Sequence, residues 1–255
     1  MSEPDQRDAR PSYSVLLTRS SADPVAMVAF LQTLGLRSVQ HDDSGGAEFA
    51  GRAGLVAVRA AAAAEPGTTV LDFAVTEVSA AERALAGAGL RVETWDAGDG
   101  GRAGRVVLPG GLVLGLDQET AQERFGDLPV HEQKVAASLD VVAVRPSSDF
   151  ATDASVLANF GFEPVGGLDD PWWCPLRAGR TSGVIGLHSP GDEPVPTAPD
   201  ASPVRLGFET SEPLDALAGR LRAAGHDATV ETGEGGAKVV VTDPDGQQVE
   251  IHPTS

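Results

Sequence analysis

The chain has 255 residues, 41% of them apolar, and a formal net charge of −18, which allows one or two domains with ordinary cores. That balance excludes nucleic-acid binding, which needs clustered Lys and Arg, and no apolar run approaches the ~20 residues of a membrane span. A single cysteine, Cys174, excludes an internal disulfide framework and suits a reducing compartment, so a cytoplasmic location is expected.

Residues 1–12 begin polar and mixed in charge, without the apolar segment of a signal peptide, and are expected to be a flexible tail. From there the chain repeats itself. A strand from Tyr13 leads through Arg19 and Asp23 to a helical stripe of Met27, Phe30, Leu31 and Leu34, ending at Gly35. A second strand from Leu139 leads through Arg145 and Asp149 to Val156, Leu157 and Phe160, ending at Gly161. The two stretches align without a gap. Asp23 and Asp149 stand where an N-cap belongs, and Pro24 is a favoured first helical residue.

Each half then restarts. In the first, strands are expected at Gly54–Ala60 and Thr69–Val75, a helix near Ala80–Ala88 and a hairpin from Arg105 to Leu116. In the second, strands fall at Gly183–His188 and Val204–Thr210, followed by a helical stripe of Leu214, Leu217, Ala218 and Leu221 stopped by Gly225. The alanine run Ala60–Ala64 is a connector, and Gly191–Pro203, rich in Pro and acid, is a loop. This divides the chain into domains at 13–117 and 139–255, joined by a charged linker, 118–138.

The last hairpin carries the clearest local signal. Asp243-Pro244-Asp245-Gly246 is a tight turn between Lys238–Val241 and Gln248–His252. Alternation puts Gln248, Glu250 and His252 on one face of the final strand, with Val249 and Ile251 on the other. Asp170-Pro171-Trp172-Trp173-Cys174 is the other notable stretch. Adjacent tryptophans on a strand point to opposite faces, so one of Trp172 and Trp173 at most faces a cleft. Cys174 has no neighbouring His or Lys and is expected to be a plain buried thiol.

The Asp-Pro-Asp-Gly-x-x-Val-Glu-Ile ending, the Leu-Gly-Leu and Phe-Gly-Phe helix exits and the βαβββ order resemble the vicinal oxygen chelate superfamily: glyoxalase I, extradiol dioxygenases, and the fosfomycin- and bleomycin-resistance proteins. The resemblance covers Tyr13 to Pro253. It implies an α+β fold of two tandem glyoxalase-like domains, each of paired βαβββ modules forming a half-open eight-stranded barrel. Metal-dependent members carry ligands at four positions per domain. By resemblance these fall on Val15, Ala57, Val70 and Gly115 in the first domain, and on Val141, Gly186, Arg205 and Glu250 in the second. Only Glu250 keeps a ligand type, so no metal and no cofactor is expected.

If the family register holds, the second cleft contains His188, Arg205, Glu250 and His252, with Arg205 and Glu250 paired and Trp172 or Trp173 as an aromatic wall. The first-domain cleft, with Leu17, Arg59, Asp72 and Val113 joining the four family positions there, is mostly apolar, and Arg59 and Asp72 could pair. The leading expectation is a metal-free protein, resembling the bleomycin-resistance branch, that binds a small aromatic or cationic molecule in the second domain. The alternative is a lyase or isomerase using His188 and Glu250 as acid–base groups. A metal-dependent glyoxalase or dioxygenase ranks below both. A monomer or a homodimer fits either reading, because two tandem domains can imitate a dimer within one chain.

Overall fold

A computed structural model describes residues 11–41, 46–61, 66–97, 101–109, 112–118, 138–191, 204–233 and 235–254. Residues 1–10 of the expected tail, most of the linker, most of the alanine run and nearly all of the loop after Gly191 lie outside the described residues.

The first half begins with β1 (Tyr13–Ser21) and α1 (Pro24–Leu34), then β2 (Arg37–His41), β3 (Ala47–Ala50) and β4 (Leu55–Ala60). It repeats the pattern with β5 (Thr69–Val75), α2 (Val78–Gly87), β6 (Arg91–Asp96), β7 (Arg102–Val107) and β8 (Val113–Gln118). The second half copies it: β9 (Leu139–Pro146), α3 (Phe150–Leu157), β10 (Glu163–Pro164), β11 (Trp173–Arg177) and β12 (Val184–His188), then β13 (Arg205–Thr210), α4 (Leu214–Ala223), β14 (Ala228–Gly233), β15 (Gly236–Thr242) and β16 (Gln248–Pro253). The strands form two eight-stranded sheets with the same order, β2-β3-β4-β1-β5-β8-β7-β6 and β10-β11-β12-β9-β13-β16-β15-β14. Both are α+β, and neither sheet closes into a full barrel.

The expected local signals act as caps. Asp23 accepts from the Ala26 amide at 3.0 Å and Asp149 from the Thr152 amide at 3.1 Å, each satisfying an orphan donor of its helix. Gly35 and Gly161 end their segments in the left-handed conformation, with φ of 97° and 77°. The Met27, Phe30, Leu31 and Leu34 stripe is fully buried, as is Leu217, Ala218 and Leu221 on α4.

Helices cover one face of each sheet, and the two helix-side faces share a single core. Phe73 of β5 stacks on Phe160 and Phe162 of the second half, with ring centroids 4.8 and 5.3 Å apart, and Tyr13 meets Phe160 edge-on at 5.3 Å.

The junction has an approximate two-fold pattern. The turn before β4 docks on β9, where Arg52 donates its amide to Leu139 O at 2.6 Å and Val141 donates to Ala53 O at 2.8 Å. The turn before β12 docks on β1, where Val15 donates to Ser182 O at 2.7 Å. Where the two turns cross, Gly54 and Gly183 touch. A Cβ on either would meet Val141 or Val15 at 2.9 Å, and both have positive φ.

A second fastening comes from the Asp-Pro-Asp-Gly turn. Asp243 Oδ1 accepts from the amides of Asp245 at 3.0 Å and Gln247 at 2.8 Å, which shapes the turn. Its other oxygen accepts from the Arg19 guanidinium of β1, buried on both sides of the pair. Asp245 adds contacts to Arg19, to the Ser21 hydroxyl at 3.1 Å and to the Ala22 amide at 2.9 Å. The repeat-related Arg145 pairs instead with Asp153 of α3 at 3.1 Å.

Candidate ligand-binding cleft

The face of each sheet turned away from the helices is open, and the strand registers assign its residues. In the second sheet Arg205 and Gly186 both lie opposite Val144, one on each neighbouring strand of β9. Trp173 pairs with His188, Gly207 with Glu250, and Glu209 with His252. His188, Arg205, Glu250 and Trp173 therefore share the open face. Trp172 does not join them: it precedes β11 and is 62% exposed.

The family positions on the first strand of each domain need correction. Val15 and Val141 are fully buried on the helix-side face, as is Leu17. Their places on the open faces belong to Leu16 and Thr18, and to Val142 and Val144. The cause is that the start of each strand is buried on both sides, so no polar phase marks which residues face the cleft. The corrected set, Val142 or Val144 with Gly186, Arg205 and Glu250, still offers one carboxylate beside a guanidinium. Among the described residues no three His, Cys, Asp or Glu side chains gather as a metal site. The residues present do not fit the divalent ion of the metal-dependent fold relatives.

Gly186 shows what replaces it. The indole of Trp173 lies in the space a side chain at 186 would take, with three of its ring carbons well inside contact distance of a Cβ there. Its ring stands edge-on to His188, centroids 6.3 Å apart. Gly115 plays the same part in the first domain, where the Asp72 carboxylate fills the space. Asp72 accepts from the Gly115 amide at 3.0 Å and the Thr18 hydroxyl at 2.9 Å, and burial still pushes its carboxyl up.

Two expected ion pairs form with other partners. Glu250 is held by Lys238 of β15 at 2.6 Å and by His252 at 3.3 Å, not by Arg205. Arg205 stands two residues before Gly207, the register partner of Glu250, a diagonal neighbour on the same face. The hydrogen bond from His252, with Lys238 added, holds the Glu250 carboxyl down at about 2. Arg59 donates to Glu48 of β3 at 3.0 Å instead of Asp72. Asp117, at the rim of this acidic face, is pushed up to about 6 by desolvation, then by Asp72 and Glu48, against the pull of Arg59. Cys174 is buried, and burial raises its thiol, as expected for an inert cysteine.

One network was not foreseen. Asp140, 2% exposed, accepts a bidentate pair from Arg52 of the first domain at 2.8 and 2.7 Å and a third bond from Arg177 at 3.2 Å. Arg177 also reaches Glu209, directly opposite Asp140, at 2.5 Å. A lone aspartate inside the apolar run Leu139–Val144 is the signal that a cation must come from elsewhere.

The fold is that of the tandem vicinal oxygen chelate proteins. The chain is similar to the 2,3-dioxygenase LapB from Pseudomonas sp. KL28, with 17% identity and a TM-score of 0.64 over 96% of this chain and 92% of that one. It is similar to a Mn(II)-bound glyoxalase from Novosphingobium aromaticivorans, at 18% identity and a TM-score of 0.56 over 95% and 86% of the two chains. Homoprotocatechuate 2,3-dioxygenase from Arthrobacter globiformis gives 16% identity and a TM-score of 0.58 over 96% and 79%. No family model and no curated protein matches the sequence.

Proposed function

We propose that the protein binds a small organic molecule, without a metal, on the open face of its second sheet. The observation that carries this reading is the Trp173 indole seated over Gly186. A position that supplies a metal ligand in metal-dependent members of the fold is here the floor of an aromatic wall. His188, Arg205 and Glu250 then surround a surface that can stack and orient a ligand.

Acid–base catalysis by His188 and Glu250 is the weaker reading. A carboxyl held at about 2 stays ionised at neutral pH and is a feeble base, because proton transfer is efficient when the pKa lies near the working pH. Its charge is already matched by Lys238 and His252.

Elemental analysis after incubation with zinc, manganese and iron(II), beside calorimetric titration with small aromatic probes, tests the proposal. Metal content well below one per chain, together with probe binding that weakens in Trp173→Leu, is the expected result. One tightly held ion per chain, lost in Glu250→Ala, would overturn it.

A further inference from the structure

We infer that the ligand of the second cleft is planar and anionic, with its ring system against Trp173 and its anionic group at Arg205. This rests on the binding reading above and narrows it to a ligand class.

Three observations converge. The first is spacing. Gly186, under the indole, and Arg205 flank Val144 on its two neighbouring strands, so their backbones stand two strand spacings, about 9.6 Å, apart. A two-ring acid spans that gap over the apolar floor of Val144. The second is charge. On this face Lys238 is matched by Glu250, and Arg177 spans Asp140 and Glu209. Arg205 is exposed and makes no hydrogen bond or ion pair with the described residues, which leaves its fork open for a carboxylate or similar anion. The third is the wall. Trp173 continues into Pro175 and then Val165, which is 50% exposed and donates its amide to Pro175 O at 2.8 Å. This gives the apolar end of a ligand a place to lie on the Trp173 side. Because the Lys238 and Arg177 charges are already matched by carboxylates, the charged end of the ligand is directed to Arg205.

The test uses the full chain and three probes of matched shape: naphthoate, naphthamide and naphthylmethylammonium. Affinities are measured by calorimetry for the wild type, Arg205→Gln, Arg205→Lys, Trp173→Leu and the more conservative Trp173→Phe. In the wild type naphthoate should bind about tenfold or more tighter than the amide, the size expected of a hydrogen bond to a charged group. Arg205→Gln should abolish that preference, with naphthoate losing at least about tenfold more affinity than the amide. Arg205→Lys should restore it only in part, and Trp173→Leu should weaken both probes.

Equal binding of naphthoate and amide, or preference for the ammonium, overturns the anionic class. If Trp173→Leu still weakens those probes, the cleft itself stands. Affinities indifferent to both Trp173 variants, or no binding of any probe at millimolar concentration, overturn the ligand class and the site together.

Discussion

Gly186 and Trp173 act as one unit, because the residue with no side chain makes room for the largest one. The φ of Gly186 is not positive, so alanine is compatible with its backbone and the cost of adding a methyl is purely one of crowding. Gly186→Ala should therefore cost about 1–3 kcal/mol in urea unfolding, as overpacking does, and move the Trp173 ring toward water. The double variant isolates the cause. In a Trp173→Ala background the same methyl enters empty space and should cost under about 0.5 kcal/mol, a coupling of roughly 1 kcal/mol or more between the two sites. Additive effects would mean that the indole does not occupy the place described. The first domain uses the same device with different chemistry, setting the Asp72 carboxylate over Gly115. The two clefts thus diverge from one geometry, one lined by an indole and a guanidinium, the other by carboxylates.

The β15–β16 hairpin shows an element doing two jobs. Its turn is a local feature held by Asp243, and the same residue closes on Arg19 of the first domain with both side chains out of water. Removing one partner of a buried pair leaves the other charge uncompensated. Asp243→Ala should therefore cost about 3–5 kcal/mol, whereas replacing Arg19 and Asp243 together by apolar residues of similar volume should recover much of it. A loss below about 1 kcal/mol for Asp243→Ala would show that Asp245 alone holds the arginine. The turn itself is legible from Asp-Pro-Asp-Gly, and so are the helix stripes, the caps and the repeat, because each depends on residues within a few positions. The long-range partner is not legible: nothing near Asp243 in sequence points to Arg19, 224 positions away. No strand is expected from the sequence at β2, β3, β6, β10 or β14; of these, β6 and β14 lie at the sheet edges and are largely exposed, so they lack an apolar phase. In the cleft, alternation along β12, β13 and β16 places His188, Arg205 and Glu250 on one face. It cannot say that Lys238, on the next strand, claims Glu250.

Across the whole molecule, duplication has not left two independent domains. Phe73 belongs to the first sheet, yet its ring stacks on Phe160 and Phe162 of the second half, and Arg52 of the first half supplies the bidentate partner of Asp140 in the second. A core shared in this way predicts one cooperative unit. Urea unfolding followed by far-UV circular dichroism and by tryptophan emission should give a single coincident transition. Phe73 is fully buried, so Phe73→Ala should remove about 3–5 kcal/mol through lost transfer energy and the cavity left between the halves. That loss should appear as a lower midpoint with an unchanged slope, since the surface exposed on unfolding stays the same. The two probes report on different places, because Trp172 and Trp173 lie in the second domain and Trp95 in the first, whereas the dichroism averages over both sheets. If Phe73→Ala split the transition, with the emission change trailing the dichroism, the halves would be separate folding units that merely touch. A single shifted transition would mean that the second cleft depends for its stability on a ring contributed by the first domain.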